Sequence, residues 1–344
     1  MSPDTPIILF HYPHSPFSAR VLYYLALRGI PYDQCIQPQI LPRPDLAALG
    51  IRYRRIPLLS IGRDVYLDSK LILSRLERLT TKETKPPFSA SATNTQQALQ
   101  TLLSSYTQNT ALFSNIAKLV VQATPLLKND AFMKDRTDMI SAPPGYRFED
   151  FVLNGKADAV LDVKRAVEFL EYTLLKDGRL WLAGKEEEGP GLEDIEMVWP
   201  LAWLFAVPGA VPGEVVGREK FPRVWDWVER FSQRVEREAG RLRKPETLSG
   251  GKVKEVLAAA AADETGDVVD EEDLLVKSAG LKRGDVVQVW PTDSGARHKT
   301  VGRLVGLTDK EITVETIEGD VSVRVHAPRQ GFAVAAVKEK ANLS

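Results

Sequence analysis

The stretch Ile7-Ile8-Leu9-Phe10-His11-Tyr12-Pro13-His14-Ser15-Pro16-Phe17-Ser18-Ala19-Arg20 decides the fold. Ile7 to Phe10 has the β-branched and aromatic content of a short buried strand. Pro13 to Pro16 marks a tight turn, and Val21 to Leu27 continues with an apolar face that suits a helix. Pro16 falls at a first-turn position, where its missing N–H costs nothing and its fixed φ suits the helix. Ser15 precedes it as a cap, at the positive end of the helix dipole, where an anionic group such as a thiolate is favoured. Taken alone, Ser-Pro here is an ordinary helix cap, and the residues that follow decide whether it is more.

Gly29 ends the helix, and Pro31 to Ile36 reads as a second strand. Leu41-Pro42-Arg43-Pro44-Asp45-Leu46 is a proline-rich turn into a short helix. Arg54 to Ile61 and Val65 to Leu67 flank the hairpin turn Gly62-Arg63-Asp64, and Asp68-Ser69 caps a helix with the stripe Leu71, Ile72, Leu76 and Leu79. The order βαβ, α, ββ, α is that of an α/β thioredoxin-like domain over residues 1–83.

At these residues a family resemblance enters. Phe10 to Arg20 resembles the active-site turn of glutathione transferases, with Ser15 where relatives carry a reactive Cys. Ile56-Pro57 resembles their Val-Pro pair with a cis proline. Asp68-Ser69 resembles the acidic-Ser pair that holds the γ-glutamyl group, and Arg43 stands where some classes carry a Lys that reaches the glycyl carboxylate. The resemblance implies glutathione as cofactor, bound by Arg43, Ile56, Pro57, Asp68 and Ser69, with Ser15 as the catalytic residue that hydrogen-bonds its sulfur. Lowering a thiol from about pKa 8.5 to roughly 6–7 takes about 2–3 kcal/mol. One hydrogen bond to a charged group, about 1.5–3 kcal/mol, and a helix terminus, roughly 0.3–1 kcal/mol, can supply it. Without a thiol at Ser15 or Ser18, no mixed disulfide forms and a glutaredoxin-like reductase is excluded. Tyr12 is a second candidate for the sulfur donor, and His11 and His14 are candidate acids or bases.

The remaining chain fits two further units. Lys plus Arg number 45 against 46 Asp plus Glu in 344 residues, a balance that calls for neither nucleic acid nor an anionic membrane. The lone cysteine, Cys35, reads as a buried small residue; it excludes an internal disulfide and a Cys-based metal cluster and fits a reducing, cytoplasmic compartment. Residues 80–93 form a polar linker. Residues 94–246 then turn to helical spacing, with one long helix from Ala98 ending before Pro125, another over Val160 to Leu174, and a loop or lid of low order over Lys128 to Asn154. In this all-helical domain, which the resemblance makes the electrophile pocket, Tyr106 and Phe113 are candidate lining residues. Asp194 is a folding residue behind the cap Gly191, a position where the family carries Ser or Thr.

Residues 252–344 leave that pattern. Asp285–Pro291, Val301–Leu307, Glu311–Ile317, Val321–His326 and Phe332–Val337 read as five short strands of a small β-barrel-like accessory domain of SH3-like or OB-like size. It lacks a basic face and reads as a module for a protein partner or for bracing a dimer. The three-unit arrangement resembles fungal glutathione transferase-like proteins with an extra C-terminal β-domain. Three functional classes follow: a homodimeric transferase acting on a small apolar electrophile, a glutathione-dependent isomerase or lyase acting on a small metabolite, and a transferase-shaped scaffold without catalysis.

Overall fold

The computed structural model describes residues 5–80, 84–141, 143–183, 189–262 and 267–337. Part of the linker and the outer limits of the first and last units therefore lie outside the described residues. The first domain has the expected order. Strand β1 (Ile7–His11) pairs in parallel with β2 (Asp33–Ile36) and antiparallel with β3 (Leu58–Ile61), which pairs with β4 (Asp64–Leu67). Helix α1 (Pro16–Arg28) ends at Gly29, whose φ of 71° is the left-handed conformation that glycine adopts without a Cβ clash. Helix α2 (Pro44–Ala47) is a single turn, and α3 (Ser69–Arg78) completes the domain.

The helical domain contains α4 (Asn94–Asn109), α5 (Leu112–Ala123), α6 (Asp130–Met139), α7 (Phe148–Leu153), α8 (Lys156–Phe169), α9 (Leu192–Phe205), α10 (Gly213–Val216) and α11 (Pro222–Ala239). Two expectations are corrected here. The single helix after Ala98 is two helices, because Thr110 adopts an extended backbone and its hydroxyl accepts from Leu112 N–H at 3.2 Å. The stretch 128–154 contains α6 and α7 rather than a loop of low order. Asn129 caps α6 by accepting from Phe132 N–H at 2.9 Å, and Phe132, Phe148 and Val152 close a small core against Val121. Asp194 is the folding residue that its position suggests. It is fully buried and accepts from the N–H groups of Gly191 and Leu182, both at 2.9 Å, and from Trp227 Nε1 at 2.8 Å. Burial pushes its carboxyl up to about 7 against the pull of those three donors.

After α12 (Gly250–Ala259) and α13 (Leu274–Ala279), the C-terminal strands are β5 (Val286–Pro291), β6 (Thr300–Leu307), β7 (Glu311–Thr316), β8 (Arg324–Pro328) and β9 (Phe332–Ala336). Their order β8-β7-β6-β5-β9 is a meander whose last strand returns to the first, which agrees with the small β unit expected. It is not a sheet apart. Strand β8 pairs in parallel with β4, Val65 opposite Val325 and Tyr66 opposite His326, so nine strands run as one sheet. An unpaired β4 edge would present a row of open N–H and C=O groups; β8 satisfies them. Phe10, Leu46, Leu58 and Val65 of the first domain share one buried cluster with Val253, Leu257, Val287, Leu304 and Val325. The opposite face of the first domain, with Leu9, Leu25 and Leu73, packs into the core of the helical domain.

Candidate functional site

Register places the expected site residues at one end of the first sheet. Phe10 lies opposite Leu58, and Leu58 opposite Leu67. The turn through Ser15, the Ile56-Pro57 pair and Asp68-Ser69 are therefore the neighbouring segments beyond that row. The Ile56-Pro57 bond is cis, as the resemblance implies; Leu41-Pro42 is cis too, which the sequence reading did not anticipate. Ser15 caps α1, and its Oγ accepts from Ser18 N–H at 3.3 Å. A hydroxyl that accepts there keeps its proton for a further acceptor. Asp68 caps α3, accepting from Lys70 N–H at 2.9 Å, and stands at φ 67°, a left-handed conformation that is sparsely populated outside glycine and recurs at functional sites.

Arg43 is placed differently from the expectation that it reaches a ligand. Its guanidinium is buried and donates to the carbonyl oxygens of Pro38 at 3.0 Å, Gln39 at 3.4 Å and Arg54. Burial lowers it to about 10. Tyr12 lies beneath it, 5.9 Å from ring centroid to guanidinium, and its hydroxyl accepts from Arg136 of α6 at 3.5 Å. His14 is exposed at φ 64°. His11 is buried 2.9 Å from Gln34 Oε1, and burial lowers its pKa. Cys35 is a buried free thiol, as expected, pushed up to about 12 by burial and by the nearby Asp45 carboxylate.

Phe113 lies 4.6 Å from Phe17, two residues beyond Ser15, and both stack against Trp199 at 5.2 and 4.7 Å. This aromatic shelf joins α1, α5 and α9 beside the cap. Tyr106, the other candidate, packs instead on Phe169 at 6.2 Å. Two cavities, of about 540 and 350 Å³, lie elsewhere, the first along α6 and the 143–149 loop, the second beside Lys85 and Gly191.

Two arrangements were missed by sequence reasoning. Arg20 of α1 is wholly buried and pairs with Glu196 of α9 while donating to Ser69 Oγ at 2.8 Å. A lone charge at the start of one apolar helical run, Arg20 before Val21 to Leu27, and a charge inside another, Glu196 within Ile195 to Trp199, were the available signal. Arg54 and Arg55, just before the cis pair, are clamped from two sides. Arg54 meets Asp135, at 2.7 Å, and Asp138 of α6; Arg55 meets Asp293 and donates to the Ser294 carbonyl at 2.8 Å on the β5–β6 connection.

Residues 9–84 match the family model described as glutathione S-transferase, N-terminal domain, and residues 115–241 match a domain of unknown function (DUF7962). A GST-like protein from Pseudomonas syringae superposes with a TM-score of 0.63 at 22% identity, over 97% of this chain and 100% of that one. The chain has a glutathione S-transferase-like fold. That overlap is wide enough to take in the C-terminal strands, so the added β region belongs to the shared architecture. Rice GST1, solved in complex with glutathione, matches at 17% identity and a TM-score of 0.47 over 74% of this chain and 96% of its own. A glutathione transferase family member from Pseudomonas fluorescens Pf-5, with bound S-(propanoic acid)-glutathione, matches at 21% and 0.42 over 69% and 99%. The fold assignment rests on the first of these three. No curated protein sequence matches. No helix among the described residues is long and apolar enough to cross a membrane.

Proposed function

We propose that this glutathione S-transferase-like chain binds glutathione and stabilises its thiolate for attack on a small apolar electrophile. One observation carries the reading: Ser15, whose hydroxyl accepts from Ser18 N–H and donates to no acceptor among the described residues, the cis Ile56-Pro57 bond and the positive-φ Asp68 cap gather at one end of one sheet. Ser15 donates to the ligand sulfur, and the α1 dipole adds to the preference for negative charge there. The Ile56 backbone beside the cis Pro57 takes the cysteinyl segment. Asp68 receives the ligand ammonium, while the Ser69 hydroxyl and the first N–H groups of α3 receive its carboxylate. Arg43 holds the 38–54 loop in shape rather than touching the ligand. The half-buried Phe17 and Phe113, backed by the buried Trp199, offer apolar ring surface to the electrophile. When bound, glutathione supplies the sulfur nucleophile; the chain supplies orientation and a stabilised anion.

A homodimer and a cytoplasmic location belong to the same reading, carried by the family resemblance and the lone cysteine. A scaffold without turnover is the second reading. It is favoured by the burial of Ser15, 4% exposed. The test is the thiolate absorbance of added glutathione as a function of pH. A thiolate that forms below the pH at which free glutathione ionises, and that is lost in Ser15→Ala, supports catalysis; an unshifted titration favours the scaffold.

A further inference from the structure

Arg20 has its guanidinium bonded from several sides. Nη2 donates to Glu196, 2.5 Å from Oε1, and to Ser104 Oγ at 3.2 Å; Nη1 donates to Gln108 Oε1 at 3.1 Å and to Ser69 Oγ at 2.8 Å. Glu196 lies on α9, and Ser104 and Gln108 on α4, so three of the four partners come from the helical domain. Gln108 is itself tied to Ser104 Oγ at 2.9 Å. Arg20 and Glu196 are both buried, and a charge so placed persists only when it is paired and hydrogen-bonded.

The hydrogen-bond directions fix the consequence. A guanidinium only donates, so its bond to Ser69 occupies a lone pair of the Ser69 oxygen and leaves the hydroxyl proton free. Among the described residues that proton meets no acceptor, and it sits on the first residue of α3 with the helix N–H groups. The pair Arg20 and Glu196 is neutral as a unit, so it adds orientation there rather than net charge.

We infer that Glu196 is a positioning residue for the carboxylate end of the ligand: through Arg20 it holds the Ser69 hydroxyl with its proton turned outward toward the γ-glutamyl carboxylate. The inference rests on the glutathione reading above and extends it to a helix of the other domain. Docking of the helical domain thereby sets the geometry of a binding group in the first, and the two domains assemble one site.

The test is calorimetric binding of two ligands, glutathione and γ-aminobutyryl-cysteinyl-glycine, which lacks the glutamyl α-carboxylate. Both are titrated into the unmodified protein and into Glu196→Gln, which keeps the shape and one acceptor but removes the charge. Glutathione affinity is expected to fall about tenfold in the variant, the scale of one hydrogen bond to a charged group, while affinity for the analogue stays unchanged. Ser104→Ala leaves the ion pair intact and shows a smaller loss of the same selectivity, which keeps the test open if Glu196→Gln does not fold. Equal losses for both ligands, or no loss for either, overturn the positioning role while leaving the glutathione site standing. No binding of either ligand by the unmodified protein overturns the site itself, and this inference with it.

Discussion

Replacing His326 by alanine tests what locks the C-terminal strands to the first domain. His326 on β8 stands between Asp64 of β4, 2.7 Å from Nε2, and Glu311 of β7, 2.5 Å from Nδ1. Its ring stacks on Tyr66 at 4.6 Å, the Thr313 hydroxyl lies 3.3 Å from Nδ1, and Arg75 and Arg78 face Glu311. Burial opposes a charge on the imidazole, but the hydrogen bonds to Asp64 and Glu311 outweigh it and raise the pKa above its ordinary 6.5. Removing the ring deprives the buried Asp64 carboxylate of a cation. Breaking a buried pair costs about 3–5 kcal/mol, and because Asp64 keeps other contacts the loss should lie near 3. Glu311 is 27% exposed and adds under about 1 kcal/mol. The folded chain keeps the His326 proton at pH values where the unfolded chain has lost it. The stabilisation is therefore complete below about pH 6.5 and is lost as pH rises through the raised value. Urea denaturation of the parent and His326→Ala should differ by about 3 kcal/mol near pH 6, and the difference should shrink as the pH rises through the raised value. A difference under about 0.5 kcal/mol near pH 6, or one independent of pH, would refute a charged lock and leave strand pairing alone to hold the seam.

Asp194→Ala leaves two buried donors, the Leu182 N–H and the Trp227 indole, and the half-buried Gly191 N–H without their acceptor. At about 1–3 kcal/mol per unsatisfied group, a loss of roughly 3–5 kcal/mol is expected by urea denaturation followed through tryptophan fluorescence, and a loss under about 1 kcal/mol contradicts the folding role. Cys35, buried with its thiol raised to about 12, should resist a thiol reagent near pH 8 in the folded protein and react fully in urea. Rapid labelling of the native protein would show that the Cys35 pocket opens.

The first domain was legible because local signals agreed with the global fold: β-branched runs for strands, Pro16 and Gly29 at the two ends of α1, and Asp68 before α3. Asp194 was legible for the same reason, since a cap-and-carboxylate pattern acts within four residues. The five C-terminal strands were readable from their spacing, but their joining to β4 was not. Val65, Tyr66, Val325 and His326 pair across some 260 residues, and nothing in either strand alone names its neighbour. Helices α6 and α7 were obscured by weak apolar spacing; they are held by Asn129 and by a four-residue core that draws on α5. The Arg43 contacts were hidden because the ligand role came from a resemblance in position, whereas the three carbonyl oxygens that engage its guanidinium belong to a loop whose course the sequence does not show. Arg20 and Glu196 were hidden because the pair joins residues 176 apart across two domains.

The central claim, a working glutathione site built on Ser15, Pro57, Asp68 and Ser69, is tested most directly by calorimetric titration of glutathione near pH 7 into the parent protein and Asp68→Ala. Binding in the micromolar to low-millimolar range, lost in Asp68→Ala, is the predicted result. Absence of binding at about ten millimolar, or binding indifferent to Asp68→Ala, would contradict it.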